Sequence, residues 1–269
     1  LSISDGATYN FGNRANGSTW DKTFTVTNGG GFTATTMSGT ALAAPYTFKG
    51  GTFPGSGGDC GLTLAPAGTC TIVVNFSPAA SSTHNATLQV NYDTGVISTN
   101  TTRPMTGVST APAVITVSDG ATYDYGTKAT TTSTDKSFTL TNTGGYDTAS
   151  MTGTGLAAPF AFKGGSFPGT GGNCTATILG GANCTYVLVY SPTANGTDNQ
   201  TITLNFNDGT GATSTNRPVT GIAVDPGVLT ISDGPTYNYG TQPYVNAGSH
   251  ANIDKTFTVT HSGTMAATG

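Results

Sequence analysis

The sequence predicts an all-β protein made of β-sandwich domains. Three observations predict this fold class: the residue composition, an apolar pattern of period two, and turn residues at regular spacing. The 269 residues include no glutamate, few lysines and leucines, and 39 glycines. Helices are usually rich in glutamate, lysine and leucine, whereas the abundant Thr, Val, Tyr and Phe favour strands. Clusters of Gly, Asn, Asp and Pro divide the strand-like segments about every ten residues, as in a sandwich.

Each strand is predicted from alternation, in which every second residue is apolar because one face of the strand is buried. Phe24 and Val26 alternate with threonines in DKTFTVTN, and Leu88 and Val90 alternate with polar residues in ATLQVNY. We expect about seven strands per sandwich, which in the first copy lie near 1–5, 21–28, 32–38, 45–49, 69–77, 84–92 and 99–108.

The chain repeats itself. SDGATY begins at Ser4 and at Ser118, and SDGPTY begins at Ser232, so each step is 114 residues. The first two copies align without a gap, and nearly half of the aligned residues are identical. A unit of this length is a complete small domain rather than one turn of a solenoid. We therefore predict repeat 1 at 1–110, repeat 2 at 114–224 and an incomplete repeat 3 at 228–269, with short linkers at 109–113 and 223–227.

Repeat 3 matches only the first two or three strands of the other copies. The chain contains no third counterpart of the Ile72–Phe76 and Leu88–Tyr92 strands. Strands without a facing sheet leave apolar side chains and edge amides in water. Either the chain is a piece of a longer array, which we expect, or another chain completes the sandwich by strand addition and so builds a fibre.

The four cysteines recur in register: Cys60 and Cys70 correspond to Cys174 and Cys184. A zinc site usually needs two close pairs, and a redox motif needs two residues between its cysteines, so this spacing fits neither. We predict the structural disulfides Cys60–Cys70 and Cys174–Cys184. Disulfides persist in oxidising compartments, which predicts an extracellular or cell-surface location, with the periplasm as the alternative.

A family resemblance is carried by three segments. YNFGNRANGSTWDKTFTVTNGGG, then CGLTLAPAGTCTIVVNFSP, then RPMTGVS resemble the bacterial choice-of-anchor D repeats, which are related to the ASPM/SPD-2/Hydin group. The resemblance spans both full copies and the start of the third. It implies tandem immunoglobulin-like (Ig-like) sandwiches in a large exported bacterial protein, serving as a stalk or surface array without activity or cofactor.

Other functional classes find little support in the sequence. Charged residues make up 8% and the net charge is −4, which argues against a nucleic-acid-binding surface. No apolar run is long enough to insert into a membrane. The three histidines have no in-register counterparts and no serine motif accompanies them, so we expect no enzyme. Asp5, Asp93 and Asp208 lie in turn-like segments. No stretch of the sequence groups three acids as a calcium site usually would, so we expect turns there and no metal.

Two aromatic residues break the repeat register and are candidate ligand contacts. Trp20 corresponds to Thr134, and Tyr244 lies in a longer segment, 241–253, that only repeat 3 has. They support the alternative that the chain is an adhesin or carbohydrate-binding module with a surface glycan or protein ligand. A second alternative is an accessory region of a secreted hydrolase. On the structural hypothesis, the partners are other domains of the same long chain.

Overall fold

The computed structural model describes residues 1–242, 244–246, 249–250 and 253–266. Within these residues the protein consists of strands and turns, and none of them belongs to a helix that could cross a membrane. The first sandwich has eight strands: β1 (Ser2–Ile3), β2 (Tyr9–Ala15), β3 (Trp20–Thr27), β4 (Thr35–Gly39), β5 (Tyr46–Phe48), β6 (Thr69–Phe76), β7 (Ser82–Asp93) and β8 (Ser98–Thr110). The second repeats them: β9 (Ile115–Val117), β10 (Tyr123–Ala129), β11 (Thr134–Asn142), β12 (Ala149–Thr154), β13 (Phe160–Phe162), β14 (Asn183–Tyr190), β15 (Gly196–Asn207) and β16 (Ala212–Val224).

Each sandwich consists of two four-stranded sheets. In the first, one sheet has the order β1-β3-β6-β5 and the other β2-β8-β7-β4; the second sandwich has the equivalent orders β9-β11-β14-β13 and β10-β16-β15-β12. The fold is thus a tandem of Ig-like β-sandwiches, as the sequence predicts. The alternation of apolar residues places Phe24, Ile72 and Leu88 in the first core, where all three are fully buried.

One strand, β2, was not among those expected from the sequence. It pairs in parallel with β8, the last strand of the sandwich, and its register shifts between Asn10 and Asn13. Gly12, inside this bulge, has a φ of 76°, which glycine adopts without strain. The bulge interrupts the period-two pattern after Tyr9 and Phe11, so that the sequence resembles a turn. The in-register strand β10 has the same irregularity.

The third segment forms two pairs of short strands. Strand β17 (Val228–Ile231) pairs with β20 (Val259–Ser262), and β18 (Tyr244–Asn246) pairs with β19 (Ser249–His250). Phe257 is 41% exposed, whereas its counterparts Phe24 and Phe138 are fully buried. The sequence has no third copy of the strands that cover this face in the two sandwiches.

Candidate functional site at the junction of the sandwiches

The linker between the sandwiches is held by the backbone of the second sandwich. Ala111 C=O accepts hydrogen bonds from the Gly145 and Tyr146 amides, at 3.1 and 2.9 Å. The Ala113 amide donates to Asp208 C=O at 3.0 Å. These contacts come from two turns, residues 142–146 before β12 and residues 208–211 after β15, which we call the docking turns. A linker bonded in this way has little freedom to bend, because its backbone groups are already paired.

The docking turns also contact the first sandwich, at the end from which the linker leaves it. A β-carbon at Gly209 would lie 2.4 Å from Tyr146 Cδ1 and 2.6 Å from Ala15 Cβ. Gly209 has a φ of 96°, so both its conformation and its surroundings favour glycine. Ala15 is fully buried. Gly209 is therefore half-buried at the point where its turn meets Ala15 of the first sandwich.

Part of the junction recurs between the second sandwich and the third segment. The Met265 amide donates to Asp225 C=O at 3.1 Å, as the Tyr146 amide does to Ala111 C=O. A β-carbon at Gly144 would lie 2.0 Å from Pro112 O, and one at Gly263 would lie 2.0 Å from Pro226 O. The same close approach of turn and linker is therefore built twice.

Trp20 lies beside this junction. It lines a cleft of about 560 Å³ together with residues of both sandwiches, which include Tyr146, Asp147, Asn207 and Thr210. The Trp20 side chain is 41% exposed, and the Arg14 guanidinium carbon lies 3.6 Å from the centre of its ring. This is a cation–π contact, which holds the indole in place. The cleft thus offers a positioned aromatic ring with polar groups around it.

Tyr244, the other predicted ligand contact, is not part of this cleft. It belongs to β18 in the third segment, where it pairs with His250 in a short hairpin. Its side chain lies outside the described residues, as do Pro243, Ala247, Gly248, Ala251 and Asn252 of the longer segment. Its role as a ligand contact therefore stays a prediction.

The four cysteines form the predicted disulfides, Cys60–Cys70 and Cys174–Cys184. All four are buried, and each bond joins a glycine-rich loop to the start of the central strand β6 or β14. Such a bond reduces the number of conformations open to the unfolded chain and so stabilises the folded sandwich. Their position within each core indicates a structural role.

The SDG turns contain a recurring ion pair. Lys22 Nζ lies 2.8 Å from Asp5, Lys136 Nζ lies 2.6 Å from Asp119, and the pair recurs as Lys255 and Asp233 at 3.0 Å. The hydrogen bond from Lys22 and then that from Ser4 hold the pKa of Asp5 below its usual value.

The other aspartates that were considered for calcium also have protein partners. Asp93 Oδ1 accepts from the Gly95 amide at 2.7 Å, and Asp208 Oδ1 accepts from the Thr210 amide at 2.8 Å. These are turn contacts, as the sequence predicts. Among the described residues, no three His, Cys or Asp side chains are grouped as metal ligands would be.

Comparisons with known proteins agree with this architecture. Residues 4–104 match the profile of the HYDIN/CFA65/VesB-like, Ig-like domain. The first sandwich is an Ig-like domain. The match is to this wider group; membership of the choice-of-anchor D repeats stays a prediction. No curated protein sequence matches the chain.

Several solved structures are similar to the chain at low sequence identity. A protein of unknown function from Porphyromonas gingivalis W83 is 10% identical, with a TM-score of 0.32, over 82% of this chain and 98% of that one. The Vibrio cholerae VesB protease is 15% identical, with a TM-score of 0.34, over 40% of this chain and 31% of the protease. The titin I-band fragment I67-I69 is 8% identical, with a TM-score of 0.39, over 96% and 86%.

The sequence predicted Trp20 as a candidate ligand contact, which stays a prediction, and it did not indicate the residues around Trp20. Arg14 and Tyr146 are far apart in sequence, and only the contact between the two Ig-like sandwiches brings their surroundings together. One signal was available: Phe32, Tyr146 and Met265 share one register position, and all are large and apolar within a glycine-rich turn. Large side chains of this kind recur at the same turn position in every repeat, where no core is expected. This recurrence indicates a contact with another element.

Proposed function

We propose that the chain is a spacer segment of a large exported bacterial surface or fibre protein, in which Ig-like sandwiches stacked end to end set a distance. On this proposal the segment itself is not catalytic, and its partners are other domains of the same long chain. Each sandwich is a rigid body, and the contacts at the joint fix the angle between one sandwich and the next.

The single observation that carries the proposal is the hydrogen-bonded joint. Ala111 and Ala113 bond directly to the docking turns, and Gly209 lies between Tyr146 and Ala15. A flexible tether between independent domains needs no such contacts, because exposed linkers normally remain solvated. A spacer needs them, since its length depends on a fixed angle at each joint.

The disulfides support the exported location. Cys60–Cys70 and Cys174–Cys184 leave no free cysteine among the described residues. Such bonds persist outside the reducing cytosol of most cells.

NMR relaxation of backbone amides tests the spacer directly. If the joint is rigid, amides of both sandwiches report one common, anisotropic tumbling, as for a single elongated body. Separate and shorter correlation times for residues 1–110 and 114–224 would contradict the proposal. Gly17→Ala should keep this common tumbling, because a β-carbon there would come no closer than 3.9 Å to Thr210 Cγ2, although its positive φ adds local strain.

A second candidate function is glycan binding in the junction cleft. The observation that favours it is Trp20, which is held by Arg14 beside Asp147 and Asn207 in a cleft of about 560 Å³. Sugars stack their apolar faces on aromatic rings and bond their hydroxyls to such polar groups, and ligand sites commonly have this size. This reading would make the segment an adhesive module.

A glycan array with three proteins separates the two functions. We expect a glycan ligand to bind the wild type, to be lost in Trp20→Ala and to bind more weakly to Arg14→Gln, which keeps the ring but removes the cation that holds it. If millimolar glycans bind none of the three, or bind Trp20→Ala equally, the cleft is only a part of the joint.

A further inference from the structure

The first sandwich has its own pair of docking turns. They are residues 28–32 before β4 and residues 94–97 after β7, in register with the docking turns of the second sandwich. Thr35, the first residue of β4, pairs with Asp93, the last residue of β7. Both turns therefore lie at the same end of the sandwich, opposite the end that contacts the second.

These turns present apolar side chains to solvent. Phe32 is 78% exposed, Val96 is 87% exposed and Ile97 is 62% exposed. Their counterparts are Tyr146, Thr210 and Gly211, and Tyr146 lines the junction cleft together with Trp20 of the first sandwich. Exposed apolar groups gathered at one site are typical of an interaction surface.

The backbone of the first docking turn is also ready to receive a linker. Asn142 Oδ1 accepts from the Gly144 amide and from the linker amide of Val114, both at 3.1 Å. Asn28 is equally buried, and its Oδ1 accepts from the Gly30 amide at 3.0 Å. The first turn therefore has the same asparagine-anchored backbone as the turn that holds the linker in the second sandwich.

We propose that the docking turns of the first sandwich bind the C-terminal end and linker of another Ig-like repeat. The surface that fits these turns is the one that Ala15 and Trp20 form at the joint with Tyr146. There a small residue ends strand β2, and an aromatic ring lies beside it. The argument is continuity with the existing joint, since the same turns already make this contact in the second sandwich. The proposal rests on the proposed spacer function and assigns the residues that extend it.

The single tryptophan of the chain provides the test. A further copy of residues 1–114 is placed before Leu1 of the full chain, and Trp20 of the original copy is changed to Phe. The remaining tryptophan then lies at the end of the added copy, facing Phe32. We expect its emission maximum and its protection from acrylamide to match those of Trp20 in the unmodified 269-residue chain.

Substitutions in the docking turns should then release the added copy. Phe32→Asp and, separately, Ile97→Asp in the original copy should shift the emission to the red and remove the protection. Both side chains are exposed, so that each variant should fold. Thr87→Asp is the matched control: it adds the same charge to an exposed position in the middle of β7 and should leave the emission unchanged.

A reciprocal protein separates failure of this inference from failure of the spacer. In it, the tryptophan of the added copy is changed to Phe, so that the original Trp20 reports the joint with Tyr146. Protection at Tyr146 without protection at Phe32 overturns the inference and leaves the spacer intact. Loss of protection in both proteins overturns both. Emission that is the same with Phe32 and with Phe32→Asp also overturns the inference.

Discussion

Gly209 and Tyr146 are in such close contact that a β-carbon on Gly209 would lie 2.4 Å from Tyr146 Cδ1. Gly209→Ala should therefore push the docking turns away from Ala15 and loosen the joint. We expect a red shift of Trp20 emission and separate tumbling of the two sandwiches, because the methyl group cannot fit without movement of the ring. Fluorescence and NMR relaxation measure the two effects.

Gly95→Ala provides the matched control for this substitution. Gly95 occupies the same register position in the first sandwich with a φ of 87°, and a β-carbon there would have no neighbour within 4 Å. Both variants therefore bear the same kind of backbone strain, about 1 kcal/mol. If Gly95→Ala loosens the joint as much as Gly209→Ala does, the contact with Tyr146 is not what holds it.

Removal of one disulfide should destabilise one sandwich. Replacing Cys174 and Cys184 by Ala should lower the free energy of unfolding of the second sandwich by roughly 3 kcal/mol, as loop-closure entropy predicts for so short a loop. Chemical denaturation with segment-specific NMR signals measures this loss. The first sandwich, with Cys60–Cys70 intact, is the internal control, and native mass spectrometry should detect no free thiol before reduction. An unchanged free energy in the double variant would contradict a stapling role.

The ion pair of Asp119 and Lys136 should make stability depend on acid pH. Hydrogen bonds from Lys136 and then Ser118 lower the pKa of Asp119 below its usual value of 3.8. Because the folded pKa is depressed, the stabilisation is fully present above about pH 4 and is lost as the pH falls through the folded pKa.

Asp119→Asn tests this pair by its pH profile. The difference in unfolding free energy between the wild type and the variant should be constant near neutral pH and should shrink below about pH 4. Thermal melts at a series of pH values measure it. Asp147→Asn, whose carboxylate accepts only the Gly180 amide among the described contacts, is the control for loss of charge. A difference that grows as the pH falls would contradict the assignment.

In each core a tyrosine stacks on a phenylalanine, but the tyrosine belongs to a different strand in the two sandwiches: β5 in the first and β14 in the second. The stacked rings are Tyr46 and Phe76 in the first sandwich and Phe160 and Tyr190 in the second. Burial raises the pKa of Tyr46 to about 12 and also raises that of Tyr190. Tyr190 Oη donates to Asp198 Oδ2 at 2.8 Å.

Tyr190→Phe should therefore cost the second sandwich about 1.5–3 kcal/mol, the range for a hydrogen bond to a charged group. Asp198→Asn keeps an oxygen that accepts and should cost less. Urea denaturation compares the two. If both variants lose the same amount, or neither loses any, the hydroxyl does not stabilise this core through Asp198.

The exposed apolar face of the third segment should either be covered by strands of a second chain or leave the segment open to proteolysis. Ile231, Tyr239 and Phe257 line an open cavity of about 840 Å³. Limited proteolysis at increasing protein concentration distinguishes the outcomes. We expect residues beyond about 227 to be lost at every concentration, since an uncovered face of this kind is unstable alone. Protection that grows with concentration would instead support completion by a second chain and assembly into a fibre.

The sequence predicted the parts of this fold that follow from local pattern and from repetition. Alternation located the strands around Phe24 and Leu88, and the in-register spacing of the cysteines predicted both disulfides. Strand β2 was missed because the bulge at Gly12 shifts the alternation within a few residues. Its parallel pairing with β8 is a long-range contact, and no local pattern encodes such a pairing.

The junction could be predicted only in part. Trp20 was proposed as a ligand contact because it breaks the register of the repeat, and that role stays a prediction; the sequence did not place it at the junction. Its neighbours were not proposed. Arg14 lies in β2, the strand that the sequence did not predict, and Tyr146 and Gly209 lie in turns of the other sandwich. Turns with glycine usually need no explanation beyond their own geometry. Only the close approach of Gly209 to Ala15 of the first sandwich shows that this turn also joins two domains.

Small-angle X-ray scattering of the full chain tests the central claim, that the sandwiches are stacked end to end in a fixed spacer. Strands β7 and β15 have 12 residues each, and each spans about 40 Å at roughly 3.3 Å per residue. The account predicts a rod with a maximum dimension of at least about 80 Å for the two sandwiches, and a profile that one conformation fits. A globular particle about half as long, or a profile that needs a broad ensemble of interdomain angles, would contradict it.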